Sequence, residues 1–304
     1  MTVILTSAGA SHRGCHRTDN QDAFLERHDI GLWAVADGMG GLAHGARASQ
    51  AIVQALTGLK PGAGLADRVG ACLAKVNDDL HWDATMTDGG RMMGSTVVIL
   101  LVTGDRFLCL WAGDSRLYRW RRGSLLRVTS DHTPIQGLLD AGLVRDEQAL
   151  RGLDHVVTRA VGTQVGLDLD RIEGVMETGD IYLLCTDGLS KVVDEGAIAS
   201  LLVSDGPARA VDRLIAAALA AGGPDNVTAL VVSEPAPVPV ETDTVDAMLD
   251  IPPPARVVPL LGQSRSRAPL STPSGVSILG WQPRLPSISA PVSQFIRMFL
   301  KEID

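Results

Sequence analysis

Five aspartates in this chain stand where their neighbours suggest chemistry. Asp22 closes the run Arg17-Thr18-Asp19-Asn20-Gln21-Asp22, and Asp37 follows the apolar start of Leu32–Gly41 (LWAVADGMGG). Asp114 begins Asp114-Ser115-Arg116 after the apolar run Leu108–Gly113, and Asp187 lies in Tyr182–Ser190 (YLLCTDGLS). Asp225 sits in Gly222-Gly223-Pro224-Asp225-Asn226, just ahead of the last apolar run. Asp37 and Asp187 share one device, a strand-like run that stops on Asp-Gly. The carboxylate presents hard oxygen, and the glycine is expected to let the chain turn sharply and bring its own carbonyl close. Taken singly, such an Asp-Gly is also ordinary turn chemistry, the aspartate capping its own backbone. Five clustered carboxylates without a cation would repel one another and be pushed toward protonation. Oxygen-only ligation selects hard cations such as Mg²⁺ or Mn²⁺ over zinc, so metal-assisted chemistry is the leading expectation.

The elements that must position these residues are legible as alternating apolar runs. Strands are expected at Val3–Ser7, Ala23–Glu26, Gly31–Ala36, Ser95–Val102, Arg106–Ala112, Arg116–Arg121, Arg171–Met176, Ile181–Cys185 and Val227–Ser233. Glycine-containing turns at Thr103-Gly104-Asp105 and Arg121-Arg122-Gly123 read as hairpins. Helices are expected at about His44–Leu59, Leu65–Trp82, Pro134–Ala141, Asp194–Val203 and Pro207–Ala221. Hairpins with separate helix pairs favour a largely antiparallel α+β architecture over a doubly wound parallel sheet.

Composition bounds the function. The chain is 45% hydrophobic and 20% charged, as expected of a globular protein with a sizeable core. A net charge of -8 and the lack of any basic stripe argue against a nucleic-acid partner. Cys15, Cys72, Cys109 and Cys185 form no C-x-x-C pair and read as buried free thiols rather than a zinc site. The opening MTVILTSAGASHRG lacks signal-peptide character, and no apolar run approaches the roughly 20 residues of a transmembrane helix, so a cytoplasmic location is expected. Residues 1–234 form the expected body. From Pro235 to Pro291 the chain holds 12 of its 16 prolines and reads as an extended linker. Residues 292–304 place Val292, Phe295, Ile296, Phe299, Leu300 and Ile303 on one helical face, which would dock on the body, a partner or a membrane surface.

The motifs R-T-D-N-Q-D, A-D-G-M-G-G, G-D-S-R, C-T-D-G-L and P-D-N-V-T, in this order, resemble the PPM (type 2C) metal-dependent protein Ser/Thr phosphatases, bacterial branch. The resemblance covers roughly residues 7–233. It implies a four-layer α-β-β-α sandwich of two central antiparallel sheets with a binuclear Mn²⁺ or Mg²⁺ centre at one end. By that resemblance Asp37 bridges two ions, Gly38 offers its carbonyl to one, and Asp187 and Asp225 hold the other. Asp22 would act directly or through water, and Asp114 with Asp187 would match a third, weaker ion. Arg17 would clamp the substrate phosphate; the residue-level alternative is a plain salt bridge within the acidic cluster. Uncatalysed phosphate monoester hydrolysis is extremely slow, so a two-cation site that acidifies a bridging water for in-line attack suits the need.

The chain also departs from the pattern. Met39 stands where some relatives carry a His after Asp-Gly, which leaves the general acid unassigned. Leu42 and Ala46 occupy positions that many relatives give to His and an acid, and His44 is expected only to open a helix. Asp131–Thr158, with His132 and His155, would be the mobile flap beside the site. The resulting expectation is a phosphatase acting on phosphorylated Ser/Thr proteins and opposing a Ser/Thr kinase. The alternative is a non-catalytic module of the same fold that docks a kinase through its tail.

Overall fold

In a computed structural model, which describes residues 5–86, 92–143 and 156–234, the apolar runs become strands, the most apolar of them buried on both faces. In chain order the elements are β1 (Thr6–His12), β2 (Asp22–Arg27), β3 (Leu32–Met39), α1 (Leu42–Thr57), α2 (Leu65–Met86), β4 (Gly94–Ser95), β5 (Val97–Thr103) and β6 (Arg106–Ala112). There follow β7 (Arg116–Arg121), β8 (Ser124–Arg127), α3 (Pro134–Asp140), β9 (Asp170–Val175), β10 (Ile181–Cys185), α4 (Asp187–Ser190), α5 (Glu195–Leu202), α6 (Pro207–Ala220) and β11 (Val227–Ser233). One sheet has the order β1-β11-β10-β7-β8; the other runs β2-β3-β5-β6-β9, with β4 paired to β3. Every strand pairing among the described residues is antiparallel.

Three apolar clusters account for the layers. Alternate residues of each strand point to opposite faces, so one strand serves two clusters. Trp33, Val35, Val98, Leu100, Tyr182, Leu184, Leu230 and Val232 meet between the sheets. Leu32, Ala34, Ala36, Val97, Ile99 and Leu101 point the other way, onto Ile52 and Leu56 of α1 and Leu73 and Leu80 of α2. On the far side Leu183, Cys185, Ala229 and Val231 pack on Ile198 of α5 and Leu214 of α6. Burial on both faces explains why these strands read as continuous apolar runs rather than as alternation. The result is the expected α-β-β-α sandwich.

Several local expectations are corrected. The first described strand spans Thr6–His12 where Val3–Ser7 was expected, with Val3 and Ile4 outside the described residues, and β8 completes the hairpin expected at Arg121-Arg122-Gly123 although no strand was assigned to it. Its hairpin with β7 turns through Arg122 and Gly123, both at positive φ. Of the cysteines, Cys109 and Cys185 are buried, but Cys15 is exposed and Cys72 only partly covered. Among the described residues no helix is long and apolar enough to cross a membrane. The linker expected at 235–291, the helix expected at 292–304 and His155 lie outside the described residues.

Candidate metal centre

The two Asp-Gly pairs do not end their strands in turns. β3 continues through Asp37 and Gly38 to Met39, where Gly38 pairs with Ser95 and Met39 with Gly94 of β4. Asp187 and Gly188 instead open the short helix α4, with Thr186 at its N-cap position. Neither glycine has a positive φ. What each needs is room: a Cβ on Gly38 would fall 1.9 Å from the Gly45 carbonyl oxygen, and one on Gly188 would fall 1.9 Å from that of Asn226. The expected sharp turn is therefore replaced by close approach of backbone to backbone, the other use of a missing side chain.

These approaches converge on a cleft of about 510 Å³ at one end of the sandwich, lined by Arg17, Gly38 and the carboxylates of Asp37, Asp114, Asp187 and Asp225. Met39, Met92, Val156 and Val157 give it an apolar rim. Asp22 is buried and is not part of the lining; it is the cross-strand partner of Asp37, so the two carboxylates lie on neighbouring strands.

The backbone of Asp37 is pinned from both sides. Its N–H donates to Thr96 Oγ1 at 3.1 Å, and its carbonyl accepts from the Thr96 N–H at 2.9 Å and from Ser95 Oγ at 3.0 Å. Asp22 is held by hydroxyls from the other sheet: Thr228 Oγ1 at 2.7 Å and Thr186 Oγ1 at 2.9 Å both donate to its Oδ2. Asn226 ties the loops together. Its Nδ2 donates to the carbonyls of Arg13 and Asp19, and its Oδ1 accepts from the Gln21 N–H at 2.8 Å. Arg17 Nη2 donates to Asp225 Oδ2 at 2.8 Å, with much of its side chain exposed.

Lys191 completes the site and was missed in the sequence. It lies one helical turn after Asp187, and its Nζ donates both to Asp187 Oδ2 and, at 3.2 Å, to Asp114 Oδ2. The i,i+4 spacing from Asp187 was the available signal. Asn226, Thr186 and Thr228 were quoted within motifs but given no role.

The electrostatics are those of crowded carboxylates. Burial, resisted by the two threonine hydroxyls, raises the Asp22 pKa to about 7. Burial and then repulsion from Asp22, Asp187, Asp114 and Asp225 push Asp37 well above the usual range. Asp114 rises to about 6, mainly through burial and the nearby Asp187, with Lys191 pulling it down. For Lys191 burial opposes the charge, but Asp187 and Asp114 outweigh it and its pKa is raised.

Among the described residues no three His, Cys, Asp or Glu side chains form a ready-made chelate, and Asp22, Asp114, Asp187 and Asp225 each accept from a protein donor. The donor set nevertheless fits a hard cation. All its side-chain ligands are oxygens, and buried Oδ1 atoms of both Asp22 and Asp187 have no hydrogen-bond partner.

Other expected features resolve differently. His44 lies in the first turn of α1, as expected. His132, placed by the resemblance in a mobile flap, is instead nearly enclosed. Its side chain is 10% exposed, stacks on Trp111, accepts from the Gly113 N–H and pairs with Asp170 at 3.3 Å.

The protein phosphatase 2C family model matches residues 8–216. The serine/threonine protein phosphatase PstP of Mycobacterium tuberculosis is 37% identical over 236 residues, covering 76% of this chain and 45% of PstP, so the chain spans about half that relative's length. The serine/threonine phosphatase stp of Listeria monocytogenes is 29% identical over 71% of this chain and 90% of its own. Among solved structures, PppA of Pseudomonas aeruginosa aligns with a TM-score of 0.72 at 39% identity, over 76% of this chain and 98% of that one. The PstP catalytic domain in complex with two manganese ions aligns at 0.69 with 36% identity, over 76% and 99%. With the carboxylate cleft in place at the end of the two-sheet sandwich, these likenesses settle the family: the chain belongs to the protein phosphatase 2C family.

Proposed function

We propose that this chain is a metal-dependent protein serine/threonine phosphatase whose body, residues 1–234, hydrolyses phosphoserine and phosphothreonine on proteins. The observation that carries this reading is the convergence of Arg17, Asp37, Asp114, Asp187 and Asp225 on one cleft, with Asp22 beside Asp37. In this reading Asp37, the Gly38 carbonyl, Asp187 and Asp225 would together hold two Mn²⁺ or Mg²⁺ ions. Asp22 contributes directly or through water. Bound there, the cations would neutralise phosphate charge and lower the pKa of a water for attack at phosphorus.

The chain's own residues bind and orient the substrate. Arg17 is steadied through one nitrogen by Asp225, which leaves its remaining N–H groups to grip phosphate oxygens in a forked geometry. The apolar rim of Met39, Met92, Val156 and Val157 gives the flanking peptide a surface and limits water at the mouth. Phosphoproteins are the substrates this activity implies, and a Ser/Thr kinase that makes them is the partner it opposes.

The test is turnover of p-nitrophenyl phosphate and of a phosphothreonine peptide with Mn²⁺ and with a chelator. Hydrolysis is expected only with the metal, and Asp187→Asn should lose about tenfold or more, at least what loss of a ligand's outer partner costs. Equal rates with and without chelator would overturn the reading, and a smaller loss in Asp187→Asn would overturn the ligand assignment.

A further inference from the structure

Asp114 and Asp187 come from different elements, the loop after β6 and the start of α4, yet one cation joins them. The Lys191 ammonium lies between the two carboxylates, donating to Oδ2 of each, and to Asp114 at 3.2 Å. Its backbone N–H also closes the turn onto the Asp187 carbonyl at 2.8 Å, so the lysine stem leaves the same short helix that presents Asp187. The carboxylates are nearly enclosed, with side-chain exposures of 4% and 15%, and the lysine side chain is 27% exposed. Few solvent molecules are therefore left to compete for these oxygens.

The other carboxylates of the cleft are held differently. Asp22 is bound by neutral hydroxyls, and Asp225 is paired with the much more exposed Arg17. Only the Asp114–Asp187 pair, among the described cleft carboxylates, shares a single protein cation. An ammonium and a divalent ion cannot both sit between the same two oxygens. Each would repel the other at contact distance in a poorly solvated setting.

Building on the proposed metal centre, we infer that Lys191 is a built-in substitute for a further divalent ion. It satisfies Asp114 and Asp187 with a tethered single charge and limits this chain to the two ions gathered around Asp37. Lys191 is thus a positioning residue that sets metal stoichiometry. Its ammonium fixes Asp114 and orients Asp187 so that the latter's unpartnered Oδ1 stays available to the ions.

The experiment is a count of bound Mn²⁺ by equilibrium dialysis with elemental analysis, on the full chain, as free Mn²⁺ is raised. The wild type should saturate at two ions. Lys191→Met, which keeps the stem and removes the charge, should take up a third at about 1 mM, in the weak range of hard-cation sites with few protein oxygens. Lys191→Arg should remain at two, and adding Asp114→Asn to Lys191→Met should return the count to two. If Lys191→Met folds poorly, the wild-type count keeps the test decisive, since saturation at two ions supports the inference and three overturns it. Three ions on the wild type, or no gain in Lys191→Met, would overturn the inference while leaving the phosphatase reading intact. No ion on the wild type would overturn the metal centre and this assignment with it.

Discussion

The side chains that ligate are only as good as the groups that aim them. Asp22, a proposed ligand, shows this at the scale of single residues, since its orientation rests on Thr186 and Thr228, separated from it by 164 and 206 positions. Both hydroxyls stabilise the charged form against burial. Thr228→Val removes one of them without changing shape much, so it should raise the Asp22 pKa further above about 7. It should also weaken Mn²⁺ binding by roughly tenfold, the usual cost of losing an outer partner of a ligand. Calorimetric titration of the folded variant with Mn²⁺ checks this, and unchanged affinity would mean that Asp22 does not contribute to the centre. The carboxylates were legible in the sequence because each sits inside a local motif. Their partners were not, because Thr186, Thr228 and Asn226 acquire roles only once distant elements meet, and the local i,i+4 spacing of Lys191 from Asp187 does not reveal its second partner, Asp114.

Most strands were legible to within a few residues, the edge strands β2 and β9 among them. β6, β7, β10 and β11 begin and end where the apolar pattern placed them. β1 and β8 were misplaced or missed, and both are edge strands of their sheet. An edge strand can be half solvated and carry few large apolar residues. β1 reads TSAGASH, while the apolar Val3–Leu5 beside it attracted the expectation. The Asp-Gly pairs bring Asp37, Gly38 and Asp187 to the cleft, but without the sharp turn expected of their glycines. Sequence shows that a glycine is present, not whether its backbone turns or its hydrogen makes room. The distinction has a measurable consequence at Gly188, where a Cβ would fall 1.9 Å from a carbonyl that cannot swing away like a side chain. Gly188→Ala should cost about 3 kcal/mol or more by chemical denaturation, toward the upper range for single substitutions. A near-neutral Gly188→Ala would mean that α4 and the loop before β11 are not locked together as described.

At the scale of the whole molecule the sandwich holds a cluster of carboxylates in place, and pH should expose that cost. Asp22 and Asp114 titrate near 3.8 when unfolded and at about 7 and about 6 in the folded, metal-free protein. Between those values the folded state binds more protons than the unfolded one, so stability falls as pH rises. The metal-free protein should therefore have a higher Tm near pH 5 than near pH 7.5, and the gain in Tm from Mn²⁺ should be larger at the higher pH, where protons no longer compete. Melting curves with and without Mn²⁺ at both pH values check the sign. A metal-free protein that gains stability steadily from pH 5 to 7.5 would contradict it.

The central claim is that these carboxylates, brought from both sheets, form one divalent-cation centre around Asp37. Its most direct test is an anomalous-scattering map from crystals of the chain grown with Mn²⁺. The account predicts two manganese peaks in the cleft, both touching the Asp37 carboxylate, with Asp187 and Asp225 on one side and Lys191 still between Asp114 and Asp187. A cleft without manganese at saturating concentration, or ions bound away from Asp37, would contradict it.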